Sequence, residues 1–117
     1  MATKQSQVDY ILDQLSSLVN VRARKMFGEY AVYYNEIVVA LICDNKLYVK
    51  ITEPGQQFAD QNYLEGRAYP GAKVSMLIDE DRIDEADWLS ELISITAASL
   101  PAPKPKKTKK LTKTVKI

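Results

Sequence analysis

The segment Arg22–Ile51 (RARKMFGEYAVYYNEIVVALICDNKLYVKI) restricts what this chain can fold into more than any other stretch. Ile37–Cys43 is a continuous apolar run, preceded by Tyr30–Tyr34 and followed by Leu47–Ile51. Asn35-Glu36 and Asp44-Asn45 interrupt it, and Asn and Asp tolerate the left-handed backbone of tight hairpin turns. The pattern predicts an antiparallel meander of three strands. Lys46, Tyr48 and Lys50 alternate with Leu47, Val49 and Ile51, the period of a strand with one wet and one dry face. Ile37–Cys43 is apolar at every position, so it is expected to lie centrally or to meet another subunit with its outer side. Gly28 interrupts the first strand region and is read as a bulge or bend.

The rest of the chain must cover or extend this sheet. Gln5–Val19 reads as a helix, with Val8, Ile11, Leu12, Leu15, Leu18 and Val19 on one stripe and Asn20 as its end signal. Pro54-Gly55 reads as the end of the third strand. Gln56–Leu64 reads as a short helix directing Phe58 and Tyr63 inward. Arg67–Tyr69 and Lys73–Ile78 are expected strands, and Asp79-Glu80-Asp81 an acidic turn. The final helix is expected from Asp84 as N-cap, with Glu85 and Asp87 in its first turn and Pro101 ending it. The resulting order α-β-β-β-α-β-β-α has runs of strands instead of strict alternation. It predicts a two-layer α+β fold, an antiparallel sheet covered by helices.

A chain of 117 residues is expected to form one domain, here residues 1–100, followed by a disordered Lys/Pro-rich tail at 101–117. Net charge hides the division. From Lys104 onward there are seven lysines and no acid, so the tail carries +7 and the remainder −6. No apolar run approaches the roughly 20 residues of a membrane span, and the first residues lack the pattern of a secretory signal. With one cysteine and no intrachain disulfide to form, a cytoplasmic location is expected.

Composition argues against catalysis. There is no histidine, the commonest general base and a frequent metal ligand. Cys43 ends an apolar strand and reads as a buried structural thiol. The run Asp79–Asp87 lacks the central glycine and terminal glutamate of a calcium loop, and reads as a solvated turn and helix start. Neither a metal nor a cofactor is expected. Two binding features remain. Arg22, Arg24, Phe27 and Tyr30 form a candidate partner-binding segment, with the bland reading that the charges guard a strand edge. Lys104, Lys106, Lys107, Lys109, Lys110, Lys113 and Lys116 could hold DNA by counterion release, with no aromatic to stack on bases; the bland reading is a solubilising tail. Tyr33 and Tyr34 are adjacent, so one of them must face away from the dry side, where an exposed tyrosine suits an interface.

The segment Arg24–Tyr33 (RKMFGEYAVY) resembles the signature R-x-M-F-G-G-x-G-x-Y of the TfoX/Sxy N-terminal domain family. Ala40-Leu41 and Asp44–Lys50 resemble its continuation, and the Met76 strand and Trp88 helix follow in a similar order. The resemblance spans about residues 5–100. Glu29 and Ala31 stand where the family usually has glycine, which suggests a more regular first strand. The second, helical domain of full-length regulators has no counterpart here, and the lysine tail stands in its place. The resemblance implies a fold like that of type III secretion chaperones. It also implies a non-enzymatic role in regulating genes for DNA uptake, with no catalytic residue to carry over. The expected partners are a protein or a second copy in a homodimer, with DNA through the tail and no membrane. The alternative is a chaperone-like homodimeric interaction domain without a nucleic-acid role.

Overall fold

The computed structural model describes residues 3–26 and 29–100. The chain is α+β. It opens with helix α1 (Gln5–Gln14), then strands β1 (Val21–Met26), β2 (Glu29–Tyr34), β3 (Ile37–Cys43) and β4 (Lys46–Val49). Helix α2 (Glu53–Ala59), strands β5 (Leu64–Gly66) and β6 (Ser75–Ile78), a one-turn helix α3 (Glu80–Ile83) and helix α4 (Ala86–Ser99) complete it. The six strands form one sheet in the order β1-β2-β3-β4-β6-β5, and every pair is antiparallel.

Both polar pairs of the meander are turns. Asn35 and Glu36 have φ of 54° and 67°, and Asp44 and Asn45 have 53° and 64°. Two successive left-handed residues twist with the flanking strands, which is what a two-residue hairpin needs. The expected three strands are four. Met26 lies opposite Glu29 in an antiparallel pair, so the region read as one interrupted strand holds two, β1 and β2, and Gly28, read as a bulge or bend, lies outside the described residues. The element order is therefore α-β-β-β-β-α-β-β-α-α. As expected, β3 is internal, and it carries a bulge opposite Val32/Tyr33.

Several helix and strand boundaries differ from expectation, each for a local reason. α1 stops at Gln14, not Val19. The Leu15 amide is shared between the carbonyls of Ile11 and Leu12, the tightening typical of a helix end, and Asn20 at φ 66° then turns the chain into β1. α2 starts earlier, and Pro54-Gly55 lies inside it. Thr52 caps it, its hydroxyl accepting from the Gly55 amide at 3.0 Å, and proline is compatible with a first turn that lacks amide acceptors. A Cβ at Gly55 would lie 2.7 Å from Oγ1 of Thr52, so glycine leaves room for the capping hydroxyl. β5 precedes Arg67–Tyr69, because Arg67 reaches forward to donate to the Ala72 carbonyl and closes 67–72 as a loop. Asp84 does not cap α4. Its amide bonds to the Glu80 carbonyl as the end of α3, and Glu85 occupies the N-cap position without a side-chain cap.

A single core joins the helices to one face of the sheet. Val8 and Ile11 of α1, Ala59 of α2, Ile83 of α3 and Leu89, Leu92, Ile93 and Ala97 of α4 meet Tyr30, Val32, Ala40, Ile42, Leu47, Val49, Met76 and Ile78. In the sheet register Val32, Ala40, Val49 and Met76 form one row and Tyr30, Ile42, Leu47 and Ile78 the next. Phe58 stacks on Trp88 at 5.9 Å, closing the core between α2 and α4. No helix among the described residues is long and apolar enough to cross a membrane.

Candidate interaction surface

The intervening residues point to the opposite face. There the register runs Arg24, Ala31, Leu41, Tyr48, Leu77, Leu64, one position from each of the six strands. Five of these six side chains are apolar or aromatic. Beside it runs a shorter row, Arg22, Tyr33, Val38. Ala31 is buried at 1% exposure, and none of the other residues of these rows belongs to the core or packs against it. Leu41, Tyr48 and Leu77 are half-buried, and Leu64 at the far end is 71% exposed. A sheet normally presents polar side chains on a face that meets water. This one presents a continuous apolar band, the composition expected of an interface core.

Local packing fixes the band's shape. A Cβ at Gly66 would sit 3.3 Å from Cε2 of Tyr48, so the absent side chain leaves room for the tyrosine ring. At the other end the Arg22 guanidinium lies 4.4 Å from the centre of the Tyr33 ring and bonds Glu36 at 2.8 Å. That bond, with the charge behind it, holds the Glu36 carboxyl below the usual carboxylate range. Arg24, Lys46 and Lys50 are exposed, making the margin of the band cationic. Of the adjacent tyrosines, Tyr33 faces outward, while Tyr34 packs against the core.

The sequence-based partner segment is divided by the sheet. Arg22 and Arg24 share the open face. Tyr30 points to the other side, is 8% exposed, and donates its hydroxyl to Gln5 Oε1 at 2.9 Å, tying α1 to β2. Alternation in β2 separates it from the arginines: Tyr30 pairs with Lys25, not with Arg24. Phe27 and the lysines Lys104, Lys106, Lys107, Lys109, Lys110, Lys113 and Lys116 lie outside the described residues. Leu41, Leu77 and Leu64 were missed as surface candidates. Apolar residues in strands read as core, and only Tyr33/Tyr34 and the unbroken Ile37–Cys43 run signalled a second apolar face.

Other features offer less. Cys43 is buried, and its thiol is pushed up by desolvation and then by the charges of Glu29 and Asp44, which disfavours the thiolate that nucleophilic chemistry needs. An open depression of about 850 Å3 near the start of β4 is lined by residues such as Tyr63, Leu77, Glu80 and Arg82. Arg82 is held by Glu85 at 2.8 Å and lies over Trp88. Among the described residues, no group of three or more His, Cys, Asp or Glu side chains converges as a metal set.

Comparison with known proteins bears on the whole body of the chain. The family model for the TfoX N-terminal domain matches residues 13–99. The chain is 44% identical over 109 residues to an uncharacterised 12.7 kDa protein in the trpE 5′ region of Spirochaeta aurantia, covering 93% of each. It is 25% identical over 80 residues to protein Sxy of Escherichia coli, an alignment that covers 68% of this chain and 38% of that protein.

Proposed function

Because the chain belongs to the TfoX N-terminal domain family, we propose that it is a non-enzymatic regulatory protein of the competence-regulator kind, acting by contact with another protein through the open face of its sheet. The observation that carries this reading is the row Ala31, Leu41, Tyr48, Leu77, Leu64, apolar across five strands and covered by none of the helices. Burying it against a partner removes apolar area from water at no cost to the core, which is built on the other face. The cationic margin would orient that partner more than hold it. The lysines from Lys104 to Lys116 add a second, sequence-independent contact with DNA, supported by their charge alone. A chaperone-like homodimer, with two open faces apposed and no nucleic acid, is the alternative that the same row supports.

Pull-down from cell extract with the full chain tests the first reading. A partner captured by the parent is expected to be lost with Leu41→Glu and kept with Glu91→Lys on α4, both variants retaining the parent's circular dichroism. Equal capture by Leu41→Glu would remove the open face from the mechanism. Light scattering separates the alternative: a dimer that Leu41→Glu converts to monomer supports apposed faces, and a monomeric parent at high micromolar concentration sinks it. The DNA contact predicts retention on DNA at low salt that disappears when 104–117 is deleted. Absence of retention by the full chain excludes the tether.

A further inference from the structure

β1 combines two properties that no other strand has: a full-length free edge and a purely cationic set of charges. It ends the sheet, and beyond its ladder to β2 no backbone hydrogen bond reaches Val21–Met26 among the described residues. The strand at the opposite edge, β5, has only three residues and carries an acid, Glu65. Four of the six β1 residues are exposed. Free strand edges are templates for another strand, which supplies the missing backbone partners. The charges then decide which strand can be added.

A second copy of β1 fits badly. Two such strands joined antiparallel about a two-fold axis pair residues of the same face, so the axis passes through one residue. At Ala23 it sets each Arg22 opposite an Arg24. At Arg22, Arg24 or Lys25 it sets that residue opposite itself. Each of these registers places like charges directly across from each other, which destabilises a strand pair. An acidic strand reverses the sign of every one of these contacts. The molecule already uses that chemistry once, where Glu36 from the neighbouring turn takes Arg22 at 2.8 Å. Arg24 has no such carboxylate among the described residues.

We propose that the β1 edge receives an extended segment of a partner protein, added as a further strand and carrying acidic side chains at alternate positions that face Arg22 and Arg24. The inference rests on the reading that the chain works through protein contact, and places one element of that contact at the sheet edge beside the apolar row. Backbone pairing supplies a general grip on an extended chain, and the two arginines select for acid.

The probe is a blocked peptide of about seven residues alternating glutamate and valine, the usual length of a strand. It is titrated into the isotopically labelled full chain, alongside its lysine-valine counterpart and an oligothymidylate. The expected result is amide shifts centred on Val21–Met26 with the acidic peptide only, slower amide exchange in β1, and weakening with salt. Arg24→Glu is expected to weaken binding by roughly tenfold or more, and Arg24→Gln by less. Arg22→Glu with Arg24→Glu transfers the preference to the lysine peptide. Arg24 is exposed, and an unchanged thermal midpoint verifies folding. The proposal is overturned if the acidic peptide leaves β1 unperturbed, if its shifts are confined to 104–117, or if the lysine peptide binds the parent equally well. Shifts in β1 with oligothymidylate but not with the peptide would assign the edge to nucleic acid and likewise overturn it. Leu41→Glu is expected to leave peptide binding intact. A partner lost with Leu41→Glu but kept by Arg24→Glu, with no peptide binding, sinks the edge inference and leaves the open-face reading standing.

Discussion

Ile42 and Leu41 are adjacent in β3, similar in size and equally apolar, yet Ile42 is fully buried and Leu41 half-exposed. The same contrast separates Leu47 from Tyr48 and Met76 from Leu77. The two faces of this sheet are thus interleaved in sequence and opposite in situation. One is sealed by α1, α2, α3 and α4, and the other carries an apolar band outside that core among the described residues. The contrast shows that apolar character in these strands serves two ends. On one face it holds the fold together. On the other it adds little to folding that a polar residue could not replace, so its value lies in what can be laid upon it.

Substitution of Leu47 should give the largest effect in this comparison. Leu47→Ala opens a cavity on the sealed face and is expected to cost about 2–5 kcal/mol in urea unfolding. Leu41→Ala, beside Leu47's partner Ile42 but on the open face, should cost roughly 1 kcal/mol, since the side chain is only half-buried. If the two losses were equal, the open face would have to be covered in solution, and a concentration-dependent midpoint would then point to self-association. Leu64→Ser, at the exposed end of the band, should change stability by no more than about 0.5 kcal/mol while weakening partner capture. A larger loss would mean that β5 is anchored through that side chain.

The smallest expected effect concerns the ion pair at the band's margin. Glu36 has its folded carboxyl lowered, first by the hydrogen bond from Arg22 and then by its charge. A lowered folded value means that the pair's contribution is present above the ordinary carboxylate range and is lost as pH falls through the lowered folded value. Both groups are exposed, so Glu36→Gln should leave the urea midpoint near neutrality almost unmoved. Any residual difference between Glu36→Gln and the parent should shrink as pH falls through the lowered folded value. A difference that grows on acidification would contradict the assignment.

Much of this molecule was readable in advance. The apolar runs and the Asn-Glu and Asp-Asn pairs marked the meander, because left-handed turn residues and period-two alternation are local properties. Missed boundaries came from contacts remote in sequence or from competing local signals. The β1–β2 hairpin is harder to read, because no Asn or Asp pair marks its reversal, and Gly28, where the sequence suggests a bulge or bend, lies outside the described residues. Pro54-Gly55 reads locally as a terminator, whereas the Thr52 cap makes it a helix start. Tyr30 was grouped with the arginines by proximity in sequence, though strand alternation put it across the sheet, bonded to Gln5.

Sequence by itself determined that this chain builds an antiparallel sheet with helices upon it, that it has no histidine chemistry, and that its charge is divided between body and tail. Those follow from composition and from the short periods of strands and helices. Only the tertiary structure decided which apolar residues are core and which are surface. That choice depends on where α1 and α4 dock. A strand apolar on both sides has two faces of equal local character, and only the packing of distant helices makes one of them dry. The row from Ala31 to Leu64 exists because five strands come into register, and no stretch of the sequence contains it.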